Sequence, residues 1–291
     1  MFTQVAGTYT TAAQIMCSEY SEQLVAQLFE FLQQQKIALP ISLNFSGLEH
    51  NICNSSIQLS QLQIFCVTEL DLSYTNQNLA HIVKTFATKL KSLILIQSQR
   101  QSEFDQLFRL TLDQLKYLNV SNNKFQEHQL DYIIGKKSAL QLVLLDLSYC
   151  DLTDSDLRKY SVNCTKSIES LNLSGNFISA EFLRSFLSQK VFPVLQELFL
   201  SNNILENVSF LFKMVLKKLQ LQKSVQKVNF ENLVQALLNI KELKWIDLSF
   251  NEFGSGAEEG INQLLSKVDF LDVRGCGVEN VSERKGAILM K

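Results

Sequence analysis

Leu115-x-x-Leu118-x-Val120-x-x-Asn123-x-Phe125 sets aliphatic residues three and then two apart, follows them with an amide and closes on an aromatic. It returns as Leu142-x-x-Leu145-x-Leu147-x-x-Cys150-x-Leu152 and again as Ile168-x-x-Leu171-x-Leu173-x-x-Asn176-x-Ile178. Further copies run through Leu195, Leu198, Leu200, Asn203 and Leu205, through Leu243, Ile246, Leu248, Asn251 and Phe253, and through Val268, Leu271, Val273, Cys276 and Val278. Weaker ones put Thr75, Ser98 and Ser224 at the amide position, and the weakest starts near Leu43 and Phe45. The fourth positions fall at 43, 70, 93, 118, 145, 171, 198, 219, 246 and 271, a mean spacing near 25 residues. Recurrence at one period is the signature of a stacked repeat architecture.

The residue types explain themselves. Positions four and six alternate as in a strand, so their side chains point inward while the intervening row points outward. Between strands lie segments with helical spacing, such as Leu79, Ile82, Val83 and Phe86, or Phe104, Leu107 and Phe108, or Leu233, Leu237 and Leu238. One short strand and one helix per repeat give parallel strands in one sheet, each repeat leaning on its neighbours.

On these residues the chain resembles the leucine-rich repeat family over about residues 37 to 280. The resemblance implies an α/β solenoid, a horseshoe of about ten repeats with a concave parallel sheet and convex helices. It also implies that the position-nine amide is buried and bonds to turn backbone, so that Cys150, Cys276, Thr75, Ser98 or Ser224 there costs about 1 kcal/mol each. Most copies look like the ribonuclease-inhibitor subtype; Cys150 to Cys164 adds features of the cysteine-containing subtype. Residues 1–36 are expected to cap the array, with Ser18 or Ser21 starting a helix that aligns Leu24, Leu28, Phe31 and Leu32. Residues 281–291 form a second cap or tail, strand or helix, around Ala287 to Met290, and the whole reads as a single structural domain.

Composition narrows the function. With 27 Lys and Arg against 29 Asp and Glu in 291 residues, the chain has no broad attraction for nucleic acid or anionic membrane. No apolar run reaches the ~18 residues needed to span a bilayer, and Met1 to Cys17 has no signal-peptide core. The six cysteines are scattered without a CxxC pair, as reduced thiols of a cytoplasmic protein would be. His50, His81 and His128 lie in separate repeats, so no metal or other cofactor is expected. Asp151, Asp154 and Asp156 read as a helix start, with Asp154 as the cap, rather than as a calcium loop. Gly254 to Gly260 reads as a turn into a helix, because two carboxylates stand where a phosphate would bind. An enzyme is not expected.

Positions three, five and seven are expected to line the concave face. Position five gives a polar, mildly acidic row and position seven is mostly Ser, from Ser46 to Ser249. Near the carboxyl end the row changes character. Trp245 and Phe270 at position three, Phe250 at position eight, Phe199, Asp247 and Asp272 at position five, and Arg274 form the candidate protein-binding set, since Trp, other aromatics and Arg carry most interface energy. Tyr74, Tyr117 and Tyr149 are a second candidate, and the basic run Lys213, Lys217, Lys218, Lys223 and Lys227 a third. The expectation is a scaffold or adaptor for another protein. Alternatives are a structural subunit of a large ciliary or cytoskeletal assembly, a ubiquitin-ligase substrate receptor, or a GTPase regulator; an F-box start and a long acidic tail, which the latter two call for, are not seen.

Overall fold

The computed structural model describes residues 13–16, 40–47, 67–75, 79–98, 101–135, 141–160, 166–187, 191–225, 228–254, 256–278, 281 and 287–290. Two compact units divide the chain, residues 1–142 and 143–291.

In the first unit, strands β1 (Ala13–Met16), β2 (Ile41–Asn44), β3 (Val67–Asp71), β4 (Ser92–Ile94) and β5 (Tyr117–Asn119) pair in chain order, all parallel. Helices α1 (Leu79–Phe86), α2 (Gln101–Leu107) and α3 (Glu127–Ile133) follow β3, β4 and β5. In the second unit, β6 (Leu144–Asp146), β7 (Ser170–Asn172), β8 (Glu197–Phe199), β9 (Lys218–Gln220), β10 (Trp245–Asp247), β11 (Phe270–Asp272) and β12 (Ile288–Met290) pair in the same parallel fashion. Here the connecting helices are α4 (Asp154–Leu157), α5 (Ala180–Phe186), α6 (Phe230–Asn239) and α7 (Glu258–Lys267).

Each fourth position sits mid-strand and is at most 2% exposed, from Leu43 to Leu271, and so are the sixth positions from Phe45 to Val273. Helix α1 turns Leu79, Ile82, Val83 and Phe86 onto the same interior. The spacing of the aliphatic residues thus produces the α/β solenoid it predicts. Where the interval from Leu198 to Leu219 shrinks, the connection is too short for an α-helix, and a 3₁₀ segment (Ser209–Lys213) takes its place. Two strands lie beyond the ten copies. β1 falls within residues 1–36 and extends the ladder from β2, and β12 makes the Ala287 to Met290 patch a strand. The expected cap helix through Leu24, Leu28, Phe31 and Leu32 lies outside the described residues, as do Cys17, Cys53, Cys66, Cys164, His50 and Lys227.

The amides do what the turn needs. Asn176 Oδ1 accepts from the N–H groups of Cys150 and Leu152 in the preceding repeat, at 3.1 and 3.0 Å, while Nδ2 donates to Leu147 O and Leu173 O at 3.0 and 2.9 Å. Asn123, Asn203 and Asn251 bond in the same way to the repeat before them. At Cys276 a thiol donates to Leu248 O at 3.0 Å, and burial pushes its pKa up to about 11.

One expectation is corrected at α4. Thr153 is the N-cap, not Asp154: Asp156 at N3 accepts from Thr153 N and Oγ1 at 2.8 and 2.6 Å, closing a capping box. Asp154 instead accepts from Ser179 N and Oγ of the next repeat, at 2.8 and 2.6 Å, tying two helix starts together.

Candidate protein-binding face

Strand alternation puts Ile246 and Leu271 inside, so Trp245 and Phe270 project from the opposite face of the sheet. Parallel register then lines up one row across the second unit: Glu197 beside Lys218, Lys218 beside Trp245, Trp245 beside Phe270, and Phe270 beside Ile288. The rings of Trp245 and Phe270 stack with centroids 5.0 Å apart and planes 4° from parallel, close to the spacing of adjacent strands. On the other side of the indole, Lys218 Nζ lies 4.5 Å from its ring centroid and 5.1 Å from that of Phe199. Ile288 ends the row and is 60% exposed.

Behind the row lie the two carboxylates. Asp247 and Asp272 are buried, 7% and 3% exposed. Asp247 accepts from Ser249 N at 2.8 Å, Ser249 Oγ at 2.6 Å and Gln220 Nε2 at 2.9 Å. Asp272 accepts from Arg274 N and Nε at 3.0 Å and from Nη2 at 2.6 Å. That hydrogen bonding and charge hold the Arg274 pKa above the usual arginine range. The expectation that both carboxylates stand among the aromatics for a partner is therefore revised. They orient Gln220 and Arg274, and only the guanidinium, with half of its side chain exposed, reaches the surface.

Position seven is corrected for the same reason. Ser73, Ser121, Ser148, Ser174, Ser201 and Ser249 are buried, because the chain turns away after position six. Their N–H groups bond the side chain at position five, as Ser73 does to Asp71 and Ser148 to Asp146, both at 2.9 Å. Phe199 breaks this pairing. With no acceptor at position five, Ser201 Oγ is buried without a hydrogen-bond partner among the described residues, a defect worth about 1–3 kcal/mol.

Position eight closes each turn in the left-handed region, with φ of 58° at Tyr74, 55° at Tyr149 and 56° at Phe250. The aromatic side chain there lies across the next repeat, where a glycine leaves room: a Cβ on Gly275 would fall 2.8 Å from the Phe250 ring, and one on Gly175 would overlap Tyr149. Phe250 is 52% exposed. Tyr149 spans Gly175 and accepts from Asn202 Nδ2 at 2.8 Å, so it is built into the turn rather than free.

The seven expected residues thus separate into two exposed residues (Phe250 and Arg274), three half-buried aromatics (Trp245, Phe270 and Phe199) and a buried pair (Asp247 and Asp272). Lys218 is the residue missing from that set. Its signal was present, since it occupies position three of the shortest repeat, one residue before Leu219. The basic run does not form one patch there: Lys213 ends the 3₁₀ segment, Lys218 lies within β9, and Lys223 is a left-handed turn residue. Among the described residues no group of three His, Cys, Asp or Glu could hold a metal ion, and no helix is long and apolar enough to cross a membrane.

A family model described as Leucine Rich repeat matches residues 142–159, the copy that begins at Leu142. No curated protein matches the chain. Among solved structures, the Rad7 and Elc1 complex in yeast is similar at 17% identity and a TM-score of 0.46, covering 93% of this chain and 88% of that one. The TLR13–ssRNA13 complex is similar at 18% identity and a TM-score of 0.46, covering 89% of this chain and 35% of that one. This chain spans about a third of the length of that second structure. With motif copies in register on parallel strands in each unit and the family match on one of those copies, the fold is an α/β leucine-rich repeat solenoid.

Proposed function

We propose that this chain is a non-enzymatic protein-interaction scaffold whose binding centre is Lys218, Trp245 and Phe270 of one row, with Phe199 against Lys218 and with Phe250 and Arg274 beyond them. The observation that carries the reading is the Trp245–Phe270 stack on the helix-free side of the sheet, with Lys218 packed on the indole. Rows of small polar residues suffice to keep such a face soluble. Here the chain departs from them, and at Phe199 the departure leaves Ser201 Oγ orphaned. A stability cost retained beside a cluster of Trp, Phe and Arg is what a functional surface displays. The repeat intervals and α-helical connections further support the ribonuclease-inhibitor-like subtype, and the scattered thiols a cytoplasmic location.

The test is partner capture by cross-linking in the source cell, followed by mass spectrometry. Trp245→Ala with Phe270→Ala is expected to abolish recovery of partners the unmodified chain captures, with a nearly unchanged thermal transition. Equal recovery by the double variant would refute the site.

A second reading, a structural subunit of a large assembly such as a ciliary or cytoskeletal one, draws on Phe177 and Ile204. They are 68% and 70% exposed at equivalent turn positions of neighbouring repeats, an apolar pair away from the aromatic row. Elution of the native protein in a megadalton particle favours this reading; a small complex favours the adaptor.

A further inference from the structure

The occupant of the aromatic row can be specified further, on the premise that this row is the binding site proposed above. We infer that the row recognises a carboxylate-bearing peptide: a segment of a protein partner in which Asp or Glu stands beside an apolar side chain.

The inference comes from which parts of each group remain accessible. Both faces of the indole are occupied, one by the Phe270 ring at 5.0 Å and the other by Lys218 Nζ at 4.5 Å. Trp245 therefore presents its edge. Phe270 has Trp245 against one face and Ile288 as its registered neighbour on the other side. Aromatic rings carry negative charge on their faces and positive charge on their edges, so the two rings show a partner their positive rims.

The cations around them are Lys218 and Arg274. Lys218 makes no ion pair among the described residues and is steadied only by two π-faces, those of Trp245 and Phe199. Arg274 is held in place by Asp272 and half exposed. The carboxylates nearby are Asp247 and Asp272, buried and hydrogen-bonded, Glu197, which stands beside Lys218 in register and accepts from Ser170 Oγ at 3.0 Å, and Asp269, 3.9 Å from Lys244 Nζ. An ammonium, a guanidinium and two ring edges, preoriented on a rigid sheet, form a donor surface. Its complement is an anion carrying its own apolar body, and Ile288 and Met290, 60% and 36% exposed, extend the row to receive that body. A nucleic acid would need open aromatic faces on which to stack its bases; the indole has none.

Random dodecamer peptides displayed on phage are selected on the full chain, and binding of the enriched peptides is measured by calorimetry. Trp245, the sole tryptophan, reports occupancy through its own fluorescence. Enriched peptides are expected to pair Asp or Glu with an aliphatic or aromatic residue. Their affinity is expected to fall about tenfold or more when the peptide carboxylates become amides, and equally for Lys218→Gln, with Lys218→Arg restoring most of it. Peptides that require Trp245 but carry no carboxylate would overturn this inference while leaving the binding row standing. Peptides that bind Trp245→Ala as well as the unmodified chain, or a failure to enrich any, would overturn both. A uridine-rich single-stranded RNA that shifts Trp245 emission and outcompetes the peptides would overturn the carboxylate assignment in favour of base stacking.

Discussion

Replacing Asn251 with Ala tests whether the amide ladder holds the repeats together. The side chain is fully buried, and its Oδ1 accepts from Ser224 N and Val225 N, both at 2.9 Å. Its Nδ2 donates to Leu221 O at 2.8 Å and to Leu248 O at 2.7 Å. Alanine strands all of these groups, but not equally. Leu248 O keeps the Cys276 thiol at 3.0 Å, whereas the two N–H groups have no second acceptor among the described residues. Each buried group left unmade costs about 1–3 kcal/mol, and a water admitted to the space recovers part of it. The net loss is therefore about 3 kcal/mol, a factor of about a hundred in local opening. Stacked repeats open locally, so hydrogen exchange is the right assay. The amides of Ser224 and Val225 should exchange about a hundredfold faster in Asn251→Ala. Asn251→Cys, which copies Cys150 and Cys276, should lose about half as much free energy, because a thiol still reaches a carbonyl. The reasoning is refuted if exchange at those two amides stays within about threefold of the unmodified chain, well under one hydrogen bond, or if Cys costs as much as Ala.

Three further outcomes are expected. Lys267 Nζ donates to Leu237 O at 3.0 Å and also to Leu238 O and Ile240 O, closing the carboxyl end of α6 from the next helix; Lys267→Met should lower stability by about 2 kcal/mol, read in urea unfolding, and an unchanged midpoint would deny it that role. Gly175→Ala must both adopt a φ of 67° and displace Tyr149, so it should cost about 2 kcal/mol or more, with a double-mutant cycle showing the penalty reduced in a Tyr149→Ala background; additive losses would mean the ring is not the obstacle. The Cys276 thiol is raised to about 11 in the folded chain, so the folded state holds its proton where the unfolded state has released it, and stability should fall as pH rises from about 9 toward 11; Cys276→Ser should flatten that slope, and an unchanged slope would contradict it.

The interior was legible because burial has a period. Leu118, Leu145, Leu171 and Leu198 declare the strands by spacing alone, and equal spacing implies the cross-strand register that stacks Trp245 on Phe270. What escaped was where polar side chains turn once the strand ends. Period-two reasoning sends position seven outward, but the left-handed residue after it folds the serine back onto position five. Asp272 looks exposed by alternation until Arg274, two residues on, closes over it. Lys218 was hidden by a different habit, that of reading a basic run as one patch when consecutive strand residues face opposite ways. β1 carries no trace of the leucine pattern that marks the other strands of its unit, and backbone pairing to β2 is what defines it.

The amide ladder has a direction. Asn123, Asn176, Asn203 and Asn251 each reach back to complete the turn of the coil before their own, supplying acceptors to its bare N–H groups. A coil emerging from the ribosome is thus unfinished until its successor arrives. Removing a coil that carries one of these amides therefore leaves at least one turn N–H of the coil before it without its acceptor.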